Sequence, residues 1–531
     1  MTSSVRPPRA ALLSPSPPEI AVWGRIETLW LLFVPLCATI YALLQPLAPN
    51  DLWYHVRAGE LAAQLGHIPT TNSMATGVPL DAPFYYQSWL AEAALYRTIA
   101  AFGLTGLQWL RALCLGGAFL MLLAGGTRFA REEKIASGVW ARAGAAGSLW
   151  AFLMLSNNVD LRPQTFSVVL CALWVMVLLG FWRAPSWEKG LGLCLIAAVW
   201  VNTHGAFVLA PASIFVLGGA QLFFGRSKAL WVTTGGVVLA TLCNPRGVGI
   251  YKYLAALSNN TIGQKYIQEW RSPGFDEWHS VLFLVSPLLI ALLWRLARPP
   301  KNWLPWLAPV ALAWVMGMRD QRAMIWFALF GAPLMGLLLA RKAPALKPQV
   351  VPRAAQLING GLLVVLLLSP LVFSPSIKTQ LPWPDTFKSQ FAPTPSRVFA
   401  GDPDLLLDRT TPSAAVVWWE GHPMQEGEKV WTDMVPGSFL TWATRDGANG
   451  TKVLPLCDPR IELFPDSFWE NYVRLSNGPQ GAGRELVQQG FTQALLDVET
   501  QAGLVRELKR EKWRLVAGNG STRLFIAPVK S

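Results

Sequence analysis

Asn50-Asp51-Leu52-Trp53-Tyr54-His55-Val56-Arg57-Ala58-Gly59-Glu60 follows at once on a long apolar run, and its reading decides the fold. The run before it, about Thr28 to Leu47, is long enough to cross a bilayer and too long for the core of a cleaved leader, so it reads as a retained anchor. Asp51, His55, Arg57 and Glu60 then crowd the membrane exit. On a helix Asp51 and His55 are i,i+4 neighbours on one face. Leu52, Val56, Ala63 and Trp53 form a flank suited to the bilayer surface or to neighbouring spans. A loop that starts on a carboxylate and continues as an amphipathic helix is more than a connection.

Composition sets the class. Of 531 residues, 52% are hydrophobic and only 15% charged, with 26 tryptophans, the profile of a polytopic membrane protein rather than a soluble one. The formal net charge of +13 does not mark a nucleic-acid binder, because the basic residues sit in short loops between apolar segments, as the positive-inside rule requires. Cys37, Cys114, Cys171, Cys194 and Cys243 fall in apolar spans and Cys457 stands far off, a pattern that supports neither a disulfide framework nor a Cys-x-x-Cys metal site. The tryptophans read mainly as interfacial belts.

Residues 1–27, with Arg6, Arg9 and Arg25, read as a cytoplasmic tail. The region 49–105 reads as a structured outer loop. A helix over 51–65 is stopped by Gly66 and Ile68-Pro69, a turn-rich stretch follows, and a second amphipathic helix runs from Ser88 to Gly103 with Glu92 and Arg97 on it. Further spans are expected near 107–126, 138–156, 164–182, 190–203, 206–224, 229–243, 279–297, 303–318, 321–340 and 356–373, about eleven in all with the anchor. An odd number puts the termini on opposite sides. Arg128, Arg131 and Lys134, Arg183 and Lys189, Arg226 and Lys228, Arg295, Arg298 and Lys301, and Arg341, Lys342, Lys347 and Arg353 then all face the cytoplasm. The transmembrane domain is thus expected over 28–373 and a Pro-rich linker over 374–400. An extracytoplasmic α/β domain is expected over 401–531, with strands at 413–419, 428–432, 452–457, 491–496, 513–518 and 521–527 between helices near 436–444, 465–476, 482–489 and 500–511. Gly518-Asn519-Gly520 reads as a hairpin turn.

The outer side collects a different population: Asp160 and Arg162, Asn202 and His204, Asn244 and Arg246, Glu269 and Arg271, Arg319, Asp320 and Arg322. Ionisable groups at membrane depth are costly and line polar cavities, so their recurrence on one side implies one shared extracytoplasmic site.

Asp51-Leu52-Trp53-Tyr54-His55 with Gly59-Glu60, Ile68-Pro69-Thr70-Thr71, Gln87-Ser88-Trp89-Leu90-Ala91-Glu92, Leu161-Arg162-Pro163-Gln164, Asn202-Thr203-His204-Gly205, Glu269-Trp270, Arg319 to Arg322, and Asp458-Pro459-Arg460 stand in this order along the chain. Together these segments resemble bacterial multispanning proteins of the GT-C glycosyltransferase superfamily, in a branch without an assigned substrate. The resemblance spans nearly the whole chain. It implies a GT-C-like inner-membrane protein with amphipathic helices in its first outer loop. Such a protein transfers a sugar from a polyprenyl-phosphate-linked donor to a glycan, lipid or protein acceptor of the envelope.

The residue types suit that chemistry. A carboxylate takes the acceptor hydroxyl's proton or holds a metal, and cations stabilise the leaving phosphate. Asp51, with His55 and Glu60, is the catalytic candidate. Arg57, Glu92, Asp160, Arg162, His204, Arg246, Glu269, Arg319 and Arg322 are candidates for binding donor phosphate or substrate, the arginines because their forks match phosphate oxygens. A divalent cation is compatible with these residues and not indicated by them. Plainer readings stand beside these. Asp51 and Glu60 also suit the cap of an interfacial helix, His204 a hydrogen-bonded hairpin residue, Glu269 and Arg271 a surface ion pair, and Asp458 and Arg460 a structural pair. As a whole the chain also suits a catalytically silent scaffold, or a lipid or polysaccharide transporter, although it shows no internal repeat.

The topology has a direct test. With a membrane-impermeant thiol reagent on intact cells, Ser476→Cys in a Cys457→Ser background is expected to label. Labelling only after the inner membrane is broken overturns the orientation.

Overall fold

Gly59 lets the first outer helix lie against the second, because a Cβ there would run into the backbone carbonyl of Glu92. The computed structural model describes residues 22–225, 227–344, 352–425, 427–445 and 452–528. Arg6, Arg9, Arg226 and Lys347 lie outside these. The anchor is α1 (Ile26–Leu44), and α2 (Leu52–Leu65) follows, closed at Gly66 in the left-handed conformation (φ 74°) with its N–H on Ala62 O at 3.0 Å. The next helix, α3 (Trp89–Glu132), joins the second amphipathic helix to the next span through Gly103 at φ 61°, a backbone shape glycine accepts readily. Past that kink the free N–H groups of Leu104 and Thr105 are capped by the Asp402 carboxylate, at 2.9 and 3.2 Å.

The bundle continues through α4 (Ser137–Leu155), α5 (Pro163–Arg183), α6 (Trp187–Val201), α7 (Leu209–Gln221) and α8 (Lys228–Ala240). Then come α9 (Gly249–Ser258), α10 (Thr261–Tyr266), α11 (Trp278–Ala297), α12 (Leu307–Arg319), α13 (Met324–Lys342) and α14 (Arg353–Val372). Almost all of α13 is buried, and Gly147 of α4 meets it so closely that a Cβ would sit 2.6 Å from Gly336 N. Small residues allow that approach between spans. Leu288 and Val365, on α11 and α14, face outward.

Among the described residues six helices are long and apolar enough to cross a membrane: Ile26–Leu44, Trp89–Glu132, Pro163–Arg183, Trp278–Ala297, Gln321–Lys342 and Arg353–Val372. The expected spans at 190–203, 206–224, 229–243 and 303–318 form helices of 15, 13, 13 and 13 residues. At 1.5 Å per residue these fall short of a hydrocarbon core about 30 Å thick. Two of them, α7 and α12, begin with 3-10 turns, Gly205–Val208 and Lys301–Trp306, that shorten their α-helical parts further. The expected span at 138–156 has the length, but it is rich in Gly and Ala and carries Arg142. Length and composition therefore do not reach eleven crossings.

The carbonyls where α1 ends are met by side chains from elsewhere. Arg111 donates to Ala42 O at 2.8 Å and Pro46 O at 2.9 Å, Gln108 to Gln45 O at 2.9 Å, and Lys378 to Leu43 O at 2.9 Å. Burial, and then the charge of Arg111, draw the Lys378 ammonium down to about 7.

After α14 the chain runs through α15 (Pro375–Lys378), α16 (Asp385–Lys388), the paired β1 (Phe391–Ala392) and β2 (Leu407–Asp408), and α17 (Ser413–Gly421). A four-stranded sheet in the order β3-β4-β6-β5 follows, built from β3 (Lys429–Thr432), β4 (Phe491–Asp497), β5 (Arg514–Asn519) and β6 (Thr522–Ile526). Its β3 and β4 are parallel and the other pairs antiparallel. The helices α18 (Met434–Ala443), α19 (Asp466–Ser476), α20 (Ala482–Gln488) and α21 (Ala502–Arg510) accompany it. Two expected strands are not strands. Residues 413–419 are α17, whose buried positions Ser413, Val416 and Trp419 recur every three residues. Residues 452–457 run irregularly, with Pro455 O and Leu456 O accepting from Thr76 N and Gly77 N at 2.9 and 2.8 Å.

The flank of α2 meets this C-terminal region, not lipid. Leu52, Trp53 and Val56 share a buried cluster with Phe399, Phe439 and Leu440, and Trp53 sits edge-on to Phe439 at 5.0 Å, while Ala63 is exposed. Of the tryptophans, Trp53, Trp174, Trp200, Trp303, Trp419 and Trp431 are core residues rather than belt residues. Trp200 donates its ring N–H to Ser167 Oγ at 2.7 Å, whereas among the described residues the buried N–H groups of Trp303 and Trp431 meet no hydrogen-bond acceptor.

The contact at Gly59 is testable. Gly59→Ala is expected to cost about 1–3 kcal/mol, because the obstacle is backbone. Gly117→Ala, on α3 with open space at its Cβ, is expected to be neutral or mildly stabilising. Thermal unfolding in detergent reads both.

Candidate functional site

Pro163 begins α5 and holds the preceding residue out of the helical conformation, so Arg162 is extended (φ −160°, ψ 174°). Its guanidinium lies at the junctions where the helices turn back at one end of the bundle. There it forms two parallel bonds to Glu269, Nη1 to Oε1 at 2.9 Å and Nη2 to Oε2 at 2.7 Å, and donates to Asn158 Oδ1 at 2.8 Å. Asp51 Oδ2 lies 3.6 Å from the same Nη1. Arg322 stands 3.6 Å from Glu269 and lies over the Trp270 ring at 4.3 Å.

Asp51, Arg162, Glu269, Trp270 and Arg322 line a cavity of about 700 Å³, together with His55, Glu92, Asp160, His204, Arg319 and Asp320. Asp51 precedes α2 with helical backbone angles (φ −53°, ψ −27°), and its side chain makes no capping hydrogen bond. The helix-cap reading of this carboxylate therefore has no contact behind it. Ser438 of α18 holds the turn on either side of it, donating to Asn50 O at 2.5 Å and accepting from Tyr54 N at 3.2 Å. Asp160 accepts from Asn50 Nδ2 at 2.7 Å, and burial raises its pKa against the opposing charge of Arg162.

The contact that His55 makes is with Glu92 rather than Asp51. Its Nδ1 lies 2.9 Å from Glu92 Oε1, both residues are buried, and the pair bolts α2 to α3. His204 Nδ1 accepts from Ala206 N at 3.3 Å, which assigns the remaining ring proton of the neutral form to Nε2. Burial, then the charges of Arg322 and Arg162, draw its pKa down to about 3. For Glu269, burial pushes the carboxyl up, but the charges and hydrogen bonds of Arg162 and Arg322 outweigh it and hold the group at about 2.

Three expected site residues stand elsewhere. Glu60 is nine positions beyond Asp51, and at about 100° per residue that is the opposite side of α2. It pairs there with Arg57 and, at 3.1 Å, with Arg445, so neither Glu60 nor Arg57 lines the cavity. Arg246 lies over the Tyr85 ring at 3.7 Å, at the back of the cavity wall. Glu269 pairs with Arg162 rather than Arg271, whose Nη2 donates to Lys265 O. Asp458 and Arg460 form a fully buried pair at 2.6 Å. Tyr54, Tyr253, Trp270 and Glu462 line the cavity; Tyr54 and Trp270 lay in segments singled out for their neighbours His55 and Glu269, whereas Tyr253 and Glu462 lay in none. Among the described residues no group of three or more His, Cys, Asp or Glu is placed to hold a metal ion.

Fold and site together define a helical, membrane-spanning protein whose junctions at one end enclose a charged cavity. No family model and no curated protein matches the sequence. The structure is similar to the crystal structure of ArnT from Cupriavidus metallidurans in the apo state, with a TM-score of 0.49 and 13% identity over 94% of this chain and 98% of that one. It is also similar to ArnT from Cupriavidus metallidurans bound to undecaprenyl phosphate, with a TM-score of 0.45 and 12% identity over the same shares. At these scores nothing about substrate or residue roles passes from one protein to the other.

The ion pairs set a pH dependence. Glu269 sits at about 2 in the fold against an ordinary 4.5, so its contribution is complete above about pH 4.5 and is lost as the pH falls from there toward 2. His204 adds to the same slope at higher pH, because the unfolded chain takes up a proton below 6.5 while the folded ring stays neutral down to about 3. Melting temperatures in detergent are expected to fall on acidification. Glu269→Gln removes the lower part of that fall, and His204→Asn the part that begins near neutrality.

Proposed function

We propose that this protein is an integral membrane glycosyltransferase. It moves a sugar from a polyprenyl-phosphate-linked donor to an envelope acceptor on the extracytoplasmic face of the inner membrane. The observation that carries this reading is the cavity that sets the Asp51 carboxylate beside the Arg162 fork and within the same walls as Arg319 and Arg322. The segments that resemble the GT-C superfamily supply several of those walls. Oriented cations in a partly enclosed site stabilise a leaving phosphate far better than water does.

The roles divide by what each side chain already holds. Both oxygens of Glu269 are taken by the Arg162 fork, so Glu269 serves as the counter-ion that keeps Arg162 in place. Asp51 is 30% exposed and makes the longer contact, which leaves it able to accept the proton of an acceptor hydroxyl. The acceptor oxygen then bonds the anomeric carbon, the anomeric carbon–phosphate oxygen bond breaks, and its electron pair leaves with the polyprenyl phosphate. Arg322, 30% exposed, and Arg319, exposed, are the cations free enough to receive that charge. Among the described residues the donor set for a metal is incomplete, so no step is routed through one.

Asp51→Asn keeps shape and removes charge. Folding and insertion are expected to survive, and transfer to fall by about two orders of magnitude or more. Arg322→Lys keeps charge and loses the fork, so weaker donor handling is expected. The measurement is transfer of labelled sugar from a panel of polyprenyl-phosphate donors to a membrane extract. Undiminished transfer in Asp51→Asn removes Asp51 from the mechanism, and no transfer with any donor favours the silent scaffold.

A further inference from the structure

The wall of the cavity that belongs to no ion pair with Arg162 or Arg322 is built by three distant parts of the chain. Tyr85 comes from the first outer loop, Tyr253 from α9 and Glu462 from the C-terminal region, and all three line the cavity. Tyr253 Oη donates to Glu462 Oε1 at 2.8 Å. Tyr85 and Tyr253 meet edge to face with centroids 5.3 Å apart, and Arg246 lies over both rings, at 3.7 and 5.4 Å. The cation thus holds two tyrosines in place from behind, and the second tyrosine aims Glu462.

Glu462 differs from the other carboxylates of the cavity. Asp51 and Glu269 meet arginines, Glu92 meets His55, Asp160 meets Asn50, and Asp320 caps Ala323 N at 3.0 Å. Glu462 meets a neutral phenol, and its side chain is exposed to the cavity. A carboxylate offers about four lone-pair directions, and one tyrosine hydroxyl engages one of them. Hydroxyl groups of a polyol are the donors that suit the rest, because each supplies an O–H without bringing a charge.

We propose that Glu462 and Tyr253, held by Arg246 and Tyr85, form a hydroxyl-binding subsite for a sugar ring, by which the C-terminal region takes part in substrate selection. The inference rests on the glycosyltransferase reading for its role in transfer, but binding can be read without transfer. The sugar ring bound there is either the one carried by the donor or one of the acceptor, and the two are separated kinetically. Glu462→Gln is expected to raise KM for one substrate about tenfold or more with a smaller change in kcat, and the substrate whose KM moves is the one that reaches Glu462.

The direct test is saturation-transfer NMR on the full chain in nanodiscs, with methyl hexosides and methyl pentosides as probes. At least one glycoside is expected to receive saturation from the wild type. Glu462→Gln is expected to cut that signal at least fivefold and Tyr253→Phe to weaken it. Equal signals in wild type and Glu462→Gln overturn the subsite, as does the absence of a signal from every glycoside with the wild type. If Glu462→Gln unfolds, Tyr253→Phe decides by itself, since it keeps the ring under Arg246 and removes only the hydroxyl: an unchanged signal overturns the proposal. Glycoside binding that depends on Glu462, in a protein that transfers nothing, leaves the subsite standing and removes the enzyme.

Discussion

A buried guanidinium needs its charge answered nearby, and Arg162 gathers the site for that reason. It is 6% exposed, and leaving such a group unpaired costs several kcal/mol. Glu269 answers it with both oxygens, Asp51 approaches from the first outer loop, and Asn158 fills a further donor. Three parts of the chain separated by more than a hundred positions are brought together around one side chain. Pro163 makes this possible by holding Arg162 extended at the start of α5, so that the fork reaches the cavity instead of following the helix.

The C-terminal region is part of the same construction. Asp402 caps the second half of α3, Ser438 braces the turn around Asp51, and Trp53 packs on Phe439. Each contact closes a need left open by the first outer loop: free helix N–H groups, a polar turn, an apolar flank. A loop that would otherwise present that flank to lipid presents it to protein. The site is therefore held from both sides, by the bundle and by the C-terminal region, and a defect in either is transmitted to Asp51 through ordinary packing and hydrogen bonding.

Charge placement also separates groups that hold from groups that act. Glu269 and Arg162 neutralise each other and are occupied. His55 and Glu92 bolt two helices. Arg319 and Arg322 remain more open, and Asp51 has one long contact. On the far wall Glu462 accepts a hydrogen bond from Tyr253, and among the described residues it forms no ion pair. A cavity with ion-paired residues on one side and a phenol–carboxyl pair on the other is suited to a ligand that is charged at one end and hydroxylated at the other.

The amino-acid sequence alone determined the helical, membrane-spanning class, the positions of most of the longer helices though not of α9, α10 or α17, the amphipathic pair in the first loop and a hairpin close to Gly520, because apolar period, length, glycine and proline act locally. It also marked Asp51, Arg162, His204, Glu269, Arg319 and Arg322 as one population, because charges at membrane depth are rare enough to be noticed singly. What it left open is which of them touch. A helix carries a residue around its axis by about 100° per position, so Glu60 and Arg57 turn away from Asp51 although they are close in sequence. The apolar run at 413–419 suits strand or helix equally until the surrounding core chooses. Arg246, Tyr253 and Glu462 carry no local pattern linking them, and only the packing of three distant segments set the phenol against the carboxylate. Tertiary structure decided the partners, because a partner at long range is selected by the packing of whole elements, which no single stretch of sequence contains.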